Sequence, residues 1–173
     1  MAENTSYTLL TKKNDEDSQL DVFIRLAVPS TPAITAADYI ELDIGSKPRY
    51  VCVENFTDIS KFEWYEGLTT TVAATALVAG GVYTILTVGS TDFVAVGAPS
   101  NTVGVTFTAT AVGTGSGTTV TNDNVCIKTV SAGTRTLVIA NSILVRDRVV
   151  QISQNATTGI IAVSKDLAIR ASA

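Results

Sequence analysis

The chain has 173 residues, of which 46% are hydrophobic and 16% charged, with a net charge of −4 and no histidine. The lack of histidine excludes Ser-His-Asp catalysis, Cys-His catalysis and histidine-ligated metals. The longest basic run is Lys12-Lys13 and no run reaches the ~18 apolar residues of a membrane span, so we expect neither nucleic acid nor membrane as a partner.

The first 20 residues are polar and end in a charged run at 12–17. They have neither the basic nor the apolar region of a secretory signal, so synthesis in the cytoplasm is expected. A segment that buries so little apolar surface does not fold alone, and we predict an N-terminal arm over 1–20. The arm is either a frayed terminus or an extended segment that becomes ordered on a neighbouring subunit, where it would bury Tyr7, Leu9 and Leu10.

The next elements read as strands. Residues 21–28 (DVFIRLAV) predict a first strand that ends at Pro29. Residues 39–68 hold the only Trp and three of the five Tyr. Within them, apolar and polar side chains alternate as in half-buried strands over three runs, 40–44, 49–55 and 61–66. We therefore predict a three-stranded antiparallel meander whose apolar face the rest of the chain covers.

The composition changes abruptly between 69 and 122, where Asp92 is the only charged residue and Thr, Val, Ala and Gly dominate. Disordered linkers contain less Val, Phe and Tyr than this, so we predict a small folded β module. Its strand-like pieces are 81–88, 91–96 and 103–110. The glycine tract 113–117 lacks the Lys and the following helix of a phosphate-binding loop, and we expect it to be a flexible hinge.

Strand patterns resume after the insertion. The predicted strands are 125–130, 135–140, 143–145, 149–152, 160–163 and 167–169. The flanks 21–68 and 123–173 together contain about 100 residues, the size of one β-sandwich domain. We therefore predict an all-β chain, in which an antiparallel β-sandwich or barrel-like host domain carries the module 69–122 as an insertion.

Aromatic side chains are the strongest candidates for contacts with other proteins, because they supply much of the binding energy at interfaces. Two interpretations of Trp64-Tyr65 stay open. One ring lies in the core while its neighbour faces out, or Tyr65 lies with Tyr50 at a subunit interface. Phe93 of the inserted module completes the set of candidate interface residues.

The two cysteines, Cys52 and Cys126, lie among Val and Ile, where cysteine behaves as a small buried hydrophobe. Two free thiols and a disulfide both remain open.

Acidic residues offer the last route to catalysis or metal binding. Glu63 and Glu66 flank Trp64, and Glu41 lies beside Asp43, but such neighbours lack the facing geometry of a glycosidase pair. The acidic stretches lack the spacing of a calcium loop. We expect no enzymatic activity, no cofactor and no metal.

Four host segments resemble a group of small virion proteins of tailed bacteriophages. They are IGSKPRYV (44–51), NFTD (55–58), EWYEGL (63–68) and KTVSAGTRTL (128–137). In the phage proteins a KPRYV, EWYEGM, KTVAAGTRTL pattern runs without interruption. The end of the chain, 160–171, resembles their NKDLYWQA-like finish, with Ala168-Ile169-Arg170 in place of the aromatic ending. The inserted pieces 81–85, 90–93, 97–104 and 107–110 resemble phage structural and fibre proteins.

The resemblance implies a non-enzymatic capsid cement (decoration) protein on the outside of a phage head. Its implied partners are the major capsid protein and further copies of itself, as a dimer or trimer. A tail, neck or fibre component, including a host-surface adhesin, is the alternative within the virion. A glycan- or peptide-binding domain from outside a virion is the third hypothesis.

Overall fold

The computed structural model describes residues 8–14, 21–28, 39–139, 142–153 and 165–172, with the backbone alone for 8–14 and 21. The regular structure of these residues consists of strands and two short 3-10 helices, so the prediction of an all-β fold is confirmed. The chain divides into two compact units, which we call the first unit (1–68 and 124–173) and the second unit (69–123).

The described strands, in chain order, are β1 (Thr8–Asn14), β2 (Asp21–Ala27), β3 (Tyr39–Asp43), β4 (Tyr50–Asn55), β5 (Ser60–Tyr65), β6 (Thr70–Ala73), β7 (Val82–Thr87), β8 (Thr106–Thr108), β9 (Thr118–Thr121), β10 (Cys126–Thr129), β11 (Arg135–Val138), β12 (Ile143–Arg146), β13 (Val149–Ser153) and β14 (Asp166–Ser172). The 3-10 helices are Ala74–Ala76 and Val94–Val96.

The first unit is a β-sandwich. One sheet has seven strands in the order β1-β2-β14-β4-β5-β10-β11, and the other has three in the order β12-β13-β3. All neighbouring strands are antiparallel. Alternate side chains of both sheets pack into one core, which includes Ile24, Leu26, Ile40, Leu42, Val51, Val53, Phe62, Trp64, Ile152 and Ile169. The interpretation of Trp64 as a core residue is therefore confirmed.

The predicted three-stranded meander is only partly correct. β4 and β5 form the expected antiparallel pair, but β3 pairs with β13 in the opposite sheet. Gly45, at φ 87°, donates its N–H to Asp43 Oδ1 (2.9 Å), and the chain turns away from β3 there. Because the two sheets face one core, the inward alternation of β3 is satisfied in either sheet. Alternation alone therefore does not identify the partner strand.

The predicted N-terminal arm is also corrected. Residues 8–14 form β1, an edge strand that pairs with β2 of the same chain, so this part does not need a neighbouring subunit to order its backbone. The backbone N–H and C=O groups gain partners in β2, which a count of apolar side chains does not detect. Residues 1–7 and 15–20, the connection 29–38 and the predicted strand 160–163 lie outside the described residues.

The second unit is a four-stranded antiparallel sheet in the order β6-β9-β7-β8. Its core is separate from that of the sandwich and includes Ala74, Leu77, Tyr83, Ile85, Phe93 and Phe107. The predicted strand 91–96 is wrong, since 94–96 is a 3-10 helix. Asn101 Oδ1 accepts the N–H of Phe93 (2.6 Å), and Asp92 Oδ1 accepts that of Val94 (3.1 Å). Such side-chain hydrogen bonds compete with strand pairing.

The glycine tract 113–117, predicted to be a flexible hinge, is packed inside the second unit. Gly117 donates its N–H to Thr91 Oγ1 (2.8 Å) and accepts the N–H of Ala74 (2.9 Å). A Cβ at Gly117 would lie 2.6 Å from the carbonyl oxygen of Val88. The tract is rich in glycine because backbones approach closely there, which composition alone does not distinguish from flexibility.

Candidate interaction surface

The side of the seven-stranded sheet that faces away from the core forms a continuous polar and aromatic surface, which we call the outer face. Successive side chains of a strand point to opposite sides of the sheet. The strands β2, β14, β4, β5, β10 and β11 therefore each contribute alternate residues to the outer face. They are Phe23, Arg25, Arg170, Tyr50, Glu54, Lys61, Glu63, Tyr65, Ile127, Arg135 and Leu137, whereas Ala168 and Cys52 point to the same side but are buried.

Glu63 is the centre of a hydrogen-bonded charge cluster on the outer face. Its carboxylate lies 2.7 Å from Lys61 Nζ and 3.7 Å from Arg135 Nη2. Tyr50, on the neighbouring strand, donates its hydroxyl proton to Glu63 Oε1 at 2.7 Å. The cluster joins side chains of β4, β5 and β11 across the outer face.

The cluster shifts the acidity of its members in opposite directions. The hydrogen bond from Lys61 lowers the pKa of Glu63 against the opposing effect of burial, and the Tyr50 hydrogen bond lowers it further. Burial raises the pKa of Tyr50, and its hydrogen bond to Glu63 adds to the rise. At neutral pH Glu63 is therefore a fixed acceptor and Tyr50 a fixed donor. The hydrogen bond thus fixes the orientation of both side chains.

We expect Glu63→Gln to lower the free energy of unfolding by about 1–2 kcal/mol at pH 7, because Lys61 and Tyr50 lose a charged acceptor. The pKa of Glu63 is lower in the folded chain, so the stabilisation is present above its unfolded pKa of about 4.3 and is lost as the pH falls through the folded value. Urea unfolding from pH 7 to pH 2 should therefore show the difference between wild type and variant shrinking in acid.

Glu66→Gln is the matched control. Glu66 follows β5, is more exposed, and contacts Lys47 and Arg49 at 3.3 Å each. Exposed ion pairs of this kind stabilise little, so the control should change the unfolding free energy by less than about 0.5 kcal/mol. Equal losses in the two variants would show that the Glu63 cluster has no special role.

Tyr50 and Tyr65, two of the predicted interface residues, are directly opposite each other on β4 and β5. Tyr65 is 43% exposed, whereas Tyr50 is half-buried with its hydroxyl bound to Glu63. The structure thus brings these two residues together on the outer face. Their role at an interface stays a prediction.

The other predicted interface residues have different outcomes. Phe93 is wrong as an interface residue, because it is fully buried in the core of the second unit, edge-on to Phe107 at 5.8 Å. An aromatic residue in a charge-poor segment is as compatible with a core as with an interface, and here it packs in the core. Leu9 and Leu10 lie in β1, but their side chains, like the whole of Tyr7, lie outside the described residues.

The turn between β4 and β5 presents apolar side chains that the sequence did not identify. In this segment, residues 55–60, Phe56 is 50% exposed and Ile59 is 70% exposed. Ile59 has φ 50°, which is uncommon for a β-branched residue. The polar pattern Asn55-Phe56-Thr57-Asp58 indicates a turn, but not which of its side chains remain uncovered.

Hydrogen bonds and an ion pair connect this turn internally and to residues 165–166, so we call residues 55–60 the braced turn. Asp58 donates its N–H to Asn55 Oδ1 (2.9 Å) and forms an ion pair with Lys165. Thr57 Oγ1 accepts the N–H of Asp166 (3.1 Å). The turn also lines an open groove of about 390 Å³, together with Glu54, Lys61 and 129–131.

The braced turn is further fixed by β2. Arg25 binds Asp166 Oδ2 at 2.8 Å and lies over the ring of Phe56, 5.6 Å from its centroid. A rigid element that exposes apolar side chains loses little conformational entropy when a partner covers it. The braced turn and its groove are therefore suited to a protein contact.

Other groups considered in the sequence have structural partners. Asp43 lies 3.3 Å from Arg148, and Glu41 accepts a hydrogen bond from Gln151 (2.7 Å).

The two cysteines do not form a disulfide. Cys52 and Cys126 are both free thiols and buried, and burial raises the pKa of Cys126 to about 11. Among the described residues, no group of three or more His, Cys, Asp or Glu is arranged to hold a metal, and no helix is long and apolar enough to span a bilayer.

The chain is therefore an all-β protein that consists of a two-sheet sandwich and a separate four-stranded unit. Comparison with protein-family models, with curated proteins and with solved structures gave no match.

Proposed function

We propose that this chain is a non-enzymatic structural protein of a bacteriophage virion, a capsid cement protein that binds the outside of the major capsid protein lattice and stabilises the head. One observation carries the proposal. Three segments that resemble phage virion proteins are neighbours in space: 55–58 lies in the braced turn, 63–68 includes the end of β5, and 128–137 spans the β10–β11 hairpin.

The adjacency matters because a binding face is built from residues that are neighbours in space. The fourth segment, 44–51, leads into β4 of the same sheet. The four segments contribute side chains to the part of the outer face formed by β4, β5, β10 and β11, which includes Tyr50, Glu63 and Arg135 of the Glu63 cluster and adjoins the groove beside the braced turn. A static contact of this type needs rigid exposed apolar groups with a polar rim, and Phe56 and Ile59 with their charged neighbours supply both.

The position of the chain in purified virions tests the proposal. A cement protein should be present in hundreds of copies, roughly in a fixed ratio to the major capsid protein, and imaging should place it on the head lattice. Gel densitometry against the capsid band measures the ratio. A few copies at a vertex or on the tail would favour a tail, neck or fibre component, and absence from the particle would overturn the virion role.

The proposed contact with the capsid is tested by measuring how tightly the purified chain rebinds to capsid shells that lack it. Phe56→Ala with Ile59→Ala should weaken rebinding by about 30-fold or more, since interface anchors contribute at least ~2 kcal/mol. Val103→Ala is the control, because it removes an exposed apolar side chain from the second unit. An unchanged affinity of the double variant would place the capsid contact elsewhere.

A further inference from the structure

In the described part of the chain, β11 is the strand at one edge of the seven-stranded sheet. None of the described strands pairs with its outward side. Leu137 is 49% exposed, and Ile139, immediately after β11, is 56% exposed. An edge strand with free N–H and C=O groups and exposed apolar side chains is a template for pairing with another strand.

The hairpin geometry identifies which backbone groups are free. Val130 donates its N–H to the carbonyl of Thr134 (3.1 Å), and Gly133, at φ 81°, donates to the carbonyl of Val130 (2.8 Å). Residues 130 and 134 are thus a hydrogen-bonded pair. Hydrogen-bonded and non-hydrogen-bonded pairs alternate along antiparallel strands. The backbone N–H and C=O groups of residues 136 and 138 therefore point toward β10, whereas those of residues 135, 137 and 139 point away from it.

The two edges of the sheet differ in their protection. β1, at the opposite edge, has a register shift between Leu9 and Thr11 and carries Lys12 and Lys13. Bulges and lysines of this kind are devices that discourage edge-to-edge pairing. β11 has a regular register with β10 and contains neither lysine nor proline. Of the two edge strands in the described part of the chain, β1 thus has such devices and β11 lacks the bulge and the lysines.

We infer that β11 pairs antiparallel with β11 of a second copy of this chain, about a two-fold axis that passes beside Leu137. In this register Leu137 lies opposite Leu137 of the second copy, and Arg135 lies opposite Ile139. The three outward residues of each copy then form about six backbone hydrogen bonds across the axis. This inference does not rest on the virion role.

The side chains fit a second copy of the same strand. Leu137 lies beside Ile127 on the outer face, so the two-fold axis joins two apolar pairs into one row. Arg135, which lies 3.7 Å from Glu63, meets an apolar residue and not its own copy. A two-fold axis at Arg135 would instead place like charges directly opposite each other, which is unfavourable.

The size of the contact sets its strength. Pairing of five residues buries on the order of 400 Å² per copy, about half of the ~800 Å² of a standard stable interface. The dimer is therefore weak in dilute solution and forms at high concentration, or where copies are held side by side.

Cysteine crosslinking of the full chain tests the register. The pairing brings the two Leu137 Cα atoms to about 5.5 Å, within disulfide range. Under mild oxidation Leu137→Cys should form a covalent dimer of twice 18.1 kDa. Thr136→Cys is the matched control, since Thr136 is also exposed but would have Val138 of the second copy opposite it. The wild type controls for the buried Cys52 and Cys126. Equal crosslinking of the two variants would overturn the proposed register.

Sedimentation equilibrium across a wide concentration range tests the pairing without crosslinks. The wild type should shift from monomer to dimer, and Leu137→Lys should weaken dimerisation by about tenfold or more, because two lysines would face each other. Val103→Lys adds the same charge at another exposed apolar site and should leave dimerisation unchanged. A wild type that stays monomeric throughout, a dimer insensitive to Leu137→Lys, or open-ended polymers would each contradict the two-fold pairing.

Discussion

Replacing Trp64 by alanine should lower the free energy of unfolding of the first unit by about 3–5 kcal/mol. Trp64 is only 2% exposed and lies in the core shared by both sheets. The substitution removes a large apolar surface and leaves a cavity that the surrounding strands cannot fill without moving. A domain of this size has a total stability of about 5–15 kcal/mol, so the loss is a large part of it.

Urea unfolding followed by far-UV circular dichroism is the appropriate measurement, because the substitution removes the only tryptophan and with it the fluorescence signal. Tyr65→Ala is the matched control, since Tyr65 is the next residue on β5 but points to the outer face. It should cost less than about 1 kcal/mol. A loss below 1 kcal/mol for Trp64→Ala would contradict its position in the core.

Phe93→Ala should unfold the second unit while the first unit remains folded. Phe93 is fully buried against Phe107, and removing such a ring costs about 3–5 kcal/mol. A unit of this size buries a smaller fraction of its surface than a large domain and has little stability in reserve. The two units also have separate cores, so the loss should not spread to the sandwich.

The lone tryptophan makes this result easy to read, because Trp64 belongs to the first unit and its fluorescence follows that unit alone. In Phe93→Ala the fluorescence transition should keep its midpoint, while hydrogen exchange of the amides in 69–123 should become fast. Val94→Ala, at an exposed neighbouring position, should leave both signals unchanged. An equal shift of the Trp64 transition would show that the two units unfold as one.

The local parts of the fold were predictable from the residues because they depend on near neighbours. Alternation along 49–55 and 61–66 places Val53, Phe62 and Trp64 inside, and the structure agrees. The gap between the predicted strands 125–130 and 135–140 is also a turn in the structure, where Gly133 supplies the left-handed backbone of the hairpin. The charge-poor composition of 69–122 likewise indicated a separate piece of structure. In the structure, residues 69–123 form a compact unit of their own.

Residues that come together from distant parts of the chain were not predictable. Period-2 alternation indicates which side of a strand is buried, but not which strand lies beside it, and the predicted pairing of β3 with β4 is therefore wrong. Phe93 was misassigned because an aromatic residue in a charge-poor segment has the same sequence signature in a core as on a surface. The Glu63 cluster was missed because Tyr50 and Arg135 reach it from other strands.

The sequence by itself determined that this protein is all-β and which face of each correctly predicted strand is buried. It also located the charge-poor segment 69–122, where the composition changes. Only the tertiary structure decided that β14 lies between β2 and β4, which brings Asp166 to Arg25 across 141 positions. It also decided that residues 55–58, 63–68 and 128–137 are neighbours in one sheet and that β11 is an edge strand among the described strands. The reason is physical: strand patterns arise from neighbours two residues apart, whereas sheet order is set by the burial and hydrogen bonding of the whole chain.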